Sequence, residues 1–110
     1  MKADRKAAIA TYKERKSVAG IFLVRCAASG RCWVGEAPDV ATIWNRISFE
    51  LRHGTHSNPA FQATWRAAGG DGFSFEAVER IDAAALAYGR HRTLQARLAH
   101  WRGVLGAELL

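Results

Sequence analysis

Gly20-Ile21-Phe22-Leu23-Val24-Arg25-Cys26-Ala27-Ala28-Ser29-Gly30-Arg31-Cys32-Trp33-Val34-Gly35 is the stretch that decides the fold of this chain. Its first half is rich in apolar residues of high strand propensity, Ala27 to Gly30 is turn-like, and Cys32 to Gly35 returns apolar. Two short strands joined by a tight turn are therefore expected. Side chains alternate faces along a strand, and directly opposed residues of a hairpin share a face. Phe22 and Trp33 share one only if the numbers of opposed residues sum to an odd value. Val24 opposite Trp33, across the four-residue loop Ala27–Gly30, meets that condition. The same register sends Cys26 and Cys32 to opposite faces, unbridged. An ordinary amphipathic hairpin with core aromatics would show the same residues.

Downstream, Asp39 stands where a helix N-cap is wanted, and Val40, Ile43, Trp44, Ile47 and Leu51 recur on one face. Asn45, Arg46, Phe49 and Arg52 fall on the other. Arg52-His53-Gly54 closes this helix with cations and a glycine stop. Asn58-Pro59 opens a second helix, with Phe61 and Trp65 four apart and facing inward. The Gly69–Gly72 turn leads to a strand over 73–81, with Phe73, Phe75 and Ala77 on one side. Asp82 can cap a last helix carrying the stripe Leu94, Leu98, Trp101 and Leu105, weakened early by Gly89. Residues 3–16 predict a charged helix at the start.

Composition narrows the class. The chain has 110 residues with 49% hydrophobic content, enough for one core and marginal for two. The longest uninterrupted apolar run, Ile21 to Val24, is far below the ~20 residues of a membrane helix. The charged start Met1-Lys2-Ala3-Asp4-Arg5-Lys6 shows no secretory signal, so the cytoplasm is the expected compartment. Two cysteines outside CxxC spacing do not make a zinc site. Net charge is +6, and no acid interrupts Ala83 to Ala107, where Arg90, His91, Arg92, Arg97, His100 and Arg102 lie. A basic balance suits a polyanion, since each phosphate neutralised releases counterions; charge kept for solubility gives the same total.

The tripeptides around Phe22 and Trp33 resemble the two motifs of the GIY-YIG nuclease family, whose paired strands carry two tyrosines into the active site; the resemblance implies that Phe22 and Trp33 share a face, and so fixes the odd-sum register. The resemblance continues through a helix, Gly54-Thr55-His56-Ser57-Asn58, a helix with Gln62 and Trp65, and the strand Phe73-Ser74-Phe75-Glu76. It covers about Ala19 to Ile81, and Tyr12-Lys13-Glu14 looks like the start of small stand-alone members. It implies one α+β domain. A three-stranded antiparallel sheet flanked by helices would comprise an N-terminal helix over 1–17, a core over 19–81 and a C-terminal helix over 82–106.

It also implies a DNA-directed endonuclease using one divalent ion, Mg²⁺ or Mn²⁺. In that family two motif tyrosines, a helix arginine and a late-helix glutamate surround the scissile phosphate. Phosphodiester cleavage needs a nucleophile generator, stabilisation of the oxyanion, and a metal or acid for the leaving group. Residue by residue, the first tyrosine is Phe22, without a hydroxyl, and the second is Trp33, whose N–H can donate but is no base. The arginine position holds Ile43, with Arg46 one turn on. The glutamate position falls near Leu98. His56 matches the loop histidine and is a candidate general base; a loop-stabilising histidine fits as well.

The catalytic candidates are thus Phe22, Trp33, Arg46 and His56, and substitute metal ligands are Glu36, Glu76 or Glu79. Arg46, Arg52, His56, Asn58, Arg92 and Arg97 are candidates for nucleic-acid contact. Arg46 paired only with Glu50, and Glu76 and Glu79 as solvated strand charges, are the plainer readings. Three functional classes remain: a divergent nuclease, a non-catalytic nucleic-acid-binding or protein-interaction module on the same scaffold, and a homo-oligomer or partner-binding domain using the apolar stripe of the last helix.

Overall fold

Two glycines explain how the hairpin closes. A Cβ on Gly35 would lie 2.5 Å from the Phe22 ring, and one on Gly20 would run into the carbonyl oxygen of Glu79. Only residues without a side chain allow the aromatic to lie flat on one strand and a neighbouring strand to approach the other. In the computed structural model, which describes residues 17–87 and 89–110, strand β1 is Gly20–Cys26 and β2 is Cys32–Ala37. They pair antiparallel with Phe22 opposite Gly35 and Val24 opposite Trp33. The Cys26 N–H donates to the Arg31 carbonyl at 2.9 Å, leaving Ala27–Gly30 as the loop. The register is the expected one, and the cysteines are free. The helix expected over residues 3–16 lies outside the described residues.

β3, Phe73–Arg80, pairs antiparallel with the other side of β1, with a bulge at Val78 between the Ile21–Glu79 and Phe22–Ala77 pairs. A fourth strand was not expected. β4, Glu108–Leu109, pairs parallel with β2, so the sheet is mixed and ordered β3-β1-β2-β4 rather than three-stranded and antiparallel. Side-chain bonds hold this short strand. Arg31 donates to both carboxylate oxygens of Glu108 at 2.9 and 2.7 Å, and Asn58 Nδ2 donates to the Leu109 carbonyl at 3.3 Å.

Helix α1, Ile43–His53, and helix α2, Pro59–Ala67, cover one face of the sheet. Phe22, Val24, Cys26 and Trp33 are buried there with Val40, Ile47, Leu51 and Phe61; Ile43, Trp44 and Trp65 pack against them half-buried. Asp39 acts one turn earlier than a cap. Its carboxylate accepts from the Ala41 N–H and the Thr42 hydroxyl, ordering a lead-in turn, and regular helix begins at Ile43. Asn58 is the expected N-cap, its Oδ1 accepting from the Phe61 N–H at 3.1 Å. Gly54 ends α1 in the left-handed conformation.

The expected 82–106 helix is two helices. α3, Ala83–Leu86, and α4, Arg90–Leu105, break at Gly89, whose φ of 156° no helical residue adopts. They cover the second face. Leu94 packs with Ala19, Ile81 and Leu86, and Leu98 and Leu105 pack on Leu23, Val34 and Ala107. No helix among the described residues is long and apolar enough to cross a membrane.

Candidate active site

Where α1, the His56 loop, β2, α4 and β4 meet, a cleft of about 420 Å³ opens. Residues far apart in the chain converge on it: Phe22 and Glu36 from the hairpin, Arg46 and Glu50 from α1, His56 from the loop, and Gln95 and Leu98 from α4. Phe22 is only 2% exposed, lying over Gly35 with its ring 5.4 Å from that of Phe75. Arg46 and Glu50 form an ion pair at 3.4 Å across one turn, with the arginine side chain 74% exposed. Such a surface pair contributes at most about 0.5 kcal/mol, too little to hold the guanidinium from a better anion.

His56 has a defined tautomer. The Asn58 backbone N–H donates to Nδ1 at 3.0 Å, so Nδ1 is the acceptor and the neutral ring carries its proton on Nε2. The ring edge packs on Phe61. Burial pushes its pKa below the ordinary histidine value, and the Glu50 carboxylate offsets this only in part. A neutral His56 in this state is a hydrogen-bond donor through Nε2. It cannot serve directly as a general base, because its lone pair already holds the loop.

The remaining candidates separate. Trp33 lies outside the cleft lining: it is fully buried, 4.8 Å from Phe61 between ring centroids, and its indole N–H has no partner among the described residues. Glu79 is on the α4 side of the sheet, where one oxygen accepts from Arg97 Nε at 2.7 Å and from Trp101 Nε1 at 2.8 Å. Burial raises its pKa, but those two bonds outweigh it and hold the carboxyl below its ordinary range. Glu76 is exposed beside Arg25 and Ser74, away from the cleft. Glu36 alone of the three lines it, its carboxylate accepting from Gln95 Nε2 at 3.3 Å. Arg97 is engaged by Glu79 and Asn58 by its capping bonds; Arg52 and Arg92 are exposed.

Sequence reasoning missed Glu50 as a cleft residue, although its i+4 spacing from Arg46 was visible. Leu98, the position without a carboxylate, does line the cleft. Among the described residues no three His, Cys, Asp or Glu side chains gather as a ligand set.

No protein-family model matches the chain, and no curated protein does. Solved structures do. A Glu-to-Ala variant of the catalytic domain of intron endonuclease I-TevI superimposes with a TM-score of 0.68 at 24% identity, over 81% of this chain and 84% of that one. The catalytic domain of homing endonuclease I-TevI gives 0.70 at 21% identity, over 84% and 97%. Superposition at this level shows the fold: this chain has a GIY-YIG nuclease-like fold.

Proposed function

We propose that the cleft receives a DNA phosphodiester and that the chain is a DNA-acting, nuclease-like domain with an altered catalytic set. The observation that carries this is the convergence of Phe22, Glu36, Arg46, Glu50 and His56 on one opening, at the heart of a fold shared with an endonuclease catalytic domain. In this reading Arg46 leaves Glu50 for the phosphate and His56 Nε2–H donates to a phosphate oxygen. A guanidinium matches phosphate geometry through paired donors.

A divalent ion, Mg²⁺ or Mn²⁺, fits as a substrate-completed site rather than a closed cage. Magnesium is commonly held by one or two carboxylates with water and phosphate oxygens, and Glu36 is the candidate carboxylate in the cleft. When bound, the ion would act as a Lewis acid on the phosphate. Phe22 and Leu98 supply neither hydroxyl nor carboxylate, so cleavage by the wild type is expected to be weak. Losing one good electrostatic contributor typically costs ~10²–10³ in rate.

The test is nicking of supercoiled plasmid with Mg²⁺ or Mn²⁺ and with chelator, alongside DNA binding across a salt series. Weak, metal-dependent nicking lost in Glu36→Gln and His56→Ala, with salt-steep binding weakened by Arg46→Ala, supports the proposal. Robust cleavage indifferent to all three variants defeats it. The second reading, a non-catalytic nucleic-acid-binding module, is favoured by the absent hydroxyl and carboxylate. It corresponds to binding without nicking.

A further inference from the structure

The outer half of α1 carries features that the cleft does not use. Phe49 is 55% exposed, and its ring stacks on His53 with centroids 4.1 Å apart at 29°. His53 is fixed in turn, its Nδ1–H donating to the Phe49 carbonyl at 2.9 Å. Two flat rings are thus held together at the surface, which an apolar side chain kept only for packing would not need. Beside them, a pocket of about 300 Å³ lies between the end of α1 and the turn after α2, lined by Arg52, His53 and Arg66 with no carboxylate. Neither Arg52 nor Arg66 has an acidic partner among the described residues. The Arg66 guanidinium is pressed against Gly54: a Cβ there would lie 2.6 Å from its nitrogen. The glycine that stops the helix therefore also makes room for a cation at the pocket wall.

We propose that this surface is a second nucleic-acid site, in which Arg52 and Arg66 take one backbone phosphate and the Phe49–His53 stack takes an unpaired base. The inference rests on the reading of the cleft as a DNA site. It adds a preference for a strand with an exposed base. Positive charge without an acid suits an anion rather than an apolar segment, and the exposed aromatic stack beside it, which accepts any nucleobase face, favours a nucleic acid over an acidic peptide. Arg46 and Arg52 are six residues apart, ~9 Å of helix, with Phe49 between them. One strand can therefore reach both the cleft and the pocket.

The experiment is fluorescence anisotropy with a labelled single strand and the matching blunt duplex, each across a salt series. Wild type should bind the single strand, and Phe49→Ala should weaken that binding about tenfold, within the range of one lost base stack, while leaving the duplex unchanged. Phe49→Trp should retain it. Arg52→Gln and Arg66→Gln should each flatten the single-strand salt slope, and the two together by ~0.7, the contribution of the one phosphate they share. Circular dichroism confirms folding, and the conservative Trp variant reports on stacking independently. Equal losses on strand and duplex in Phe49→Ala, or no loss on either, overturn the proposal. Single-strand binding that depends on Arg46 but is indifferent to Phe49, Arg52 and Arg66 overturns this site alone. No DNA binding by the wild type overturns the cleft reading with it.

Discussion

At the scale of single residues, two side chains of the cleft offer the most direct test of the proposed nuclease reading. Phe22 presents its ring where a hydroxyl would be useful, and Leu98 presents methyls where a carboxylate would be. Both already line the opening, so the missing groups can be installed without rebuilding the backbone. The double variant Phe22→Tyr/Leu98→Glu is expected to raise Mg²⁺-dependent plasmid nicking by about 10²-fold over wild type, a typical electrostatic contribution, with each single change giving less. A folded double variant with no gain would locate the chemistry elsewhere. His56 shows the limit of reasoning from residue type. Histidine is the natural candidate base near neutrality, but here the Asn58 N–H occupies Nδ1. The sequence places a histidine in a loop; only the fold says which nitrogen is free.

At the scale of elements, α4 is fastened to β3 through Glu79, which accepts from Arg97 and Trp101 together. Glu79→Gln is expected to destabilise the domain by about 1.5–3 kcal/mol, the usual worth of a hydrogen bond to a charged group, measured by urea unfolding. Nicking per folded molecule should not change. A loss of nicking without loss of stability would return Glu79 to the list of metal ligands. Elements whose pattern is local were legible in the sequence. The hairpin register followed from strand alternation only once the family resemblance put Phe22 and Trp33 on one face, and the start of α2 from Asn58-Pro59. β4 was not legible, because two residues carry no periodicity and its strongest fastening, Arg31 to Glu108, spans 77 positions. The break at Gly89 was foreseen as weakness but not as a stop. Glu50 was visible only as a partner for Arg46, since its place on the cleft depends on how α1 is rotated against the sheet.

At the scale of the molecule, stability should follow pH in two steps. His56 titrates below its ordinary value of 6.5 when folded, so the unfolded chain takes up its proton first. Its contribution is complete above about pH 6.5 and erodes as pH falls from there toward the folded value. Glu79 and Glu108 are also held below their ordinary value of 4.5, Glu79 by Trp101 and Arg97 against burial, and Glu108 by Arg31. Their contribution is complete above about 4.5 and is lost as pH falls below it. Thermal melts across pH should therefore decline first below 6.5, and His56→Gln should remove that first decline while sparing the second. A wild-type profile flat between 5 and 7 would contradict the assignment.

The fourth strand has one more consequence. By pairing with Trp33 and Val34, β4 covers part of the outer side of β2, leaving β3 as the long edge of the sheet among the described residues. An open edge invites strand addition from another copy, and charges and bulges are what discourage it. β3 carries both: exposed Glu76 and Arg80, and the bulge at Val78. The Arg31–Glu108 clamp is therefore expected to do more than hold a short strand in place, by keeping the outer side of β2 from strand addition, and Arg31→Ala should show itself first as a loss of colloidal behaviour at high concentration.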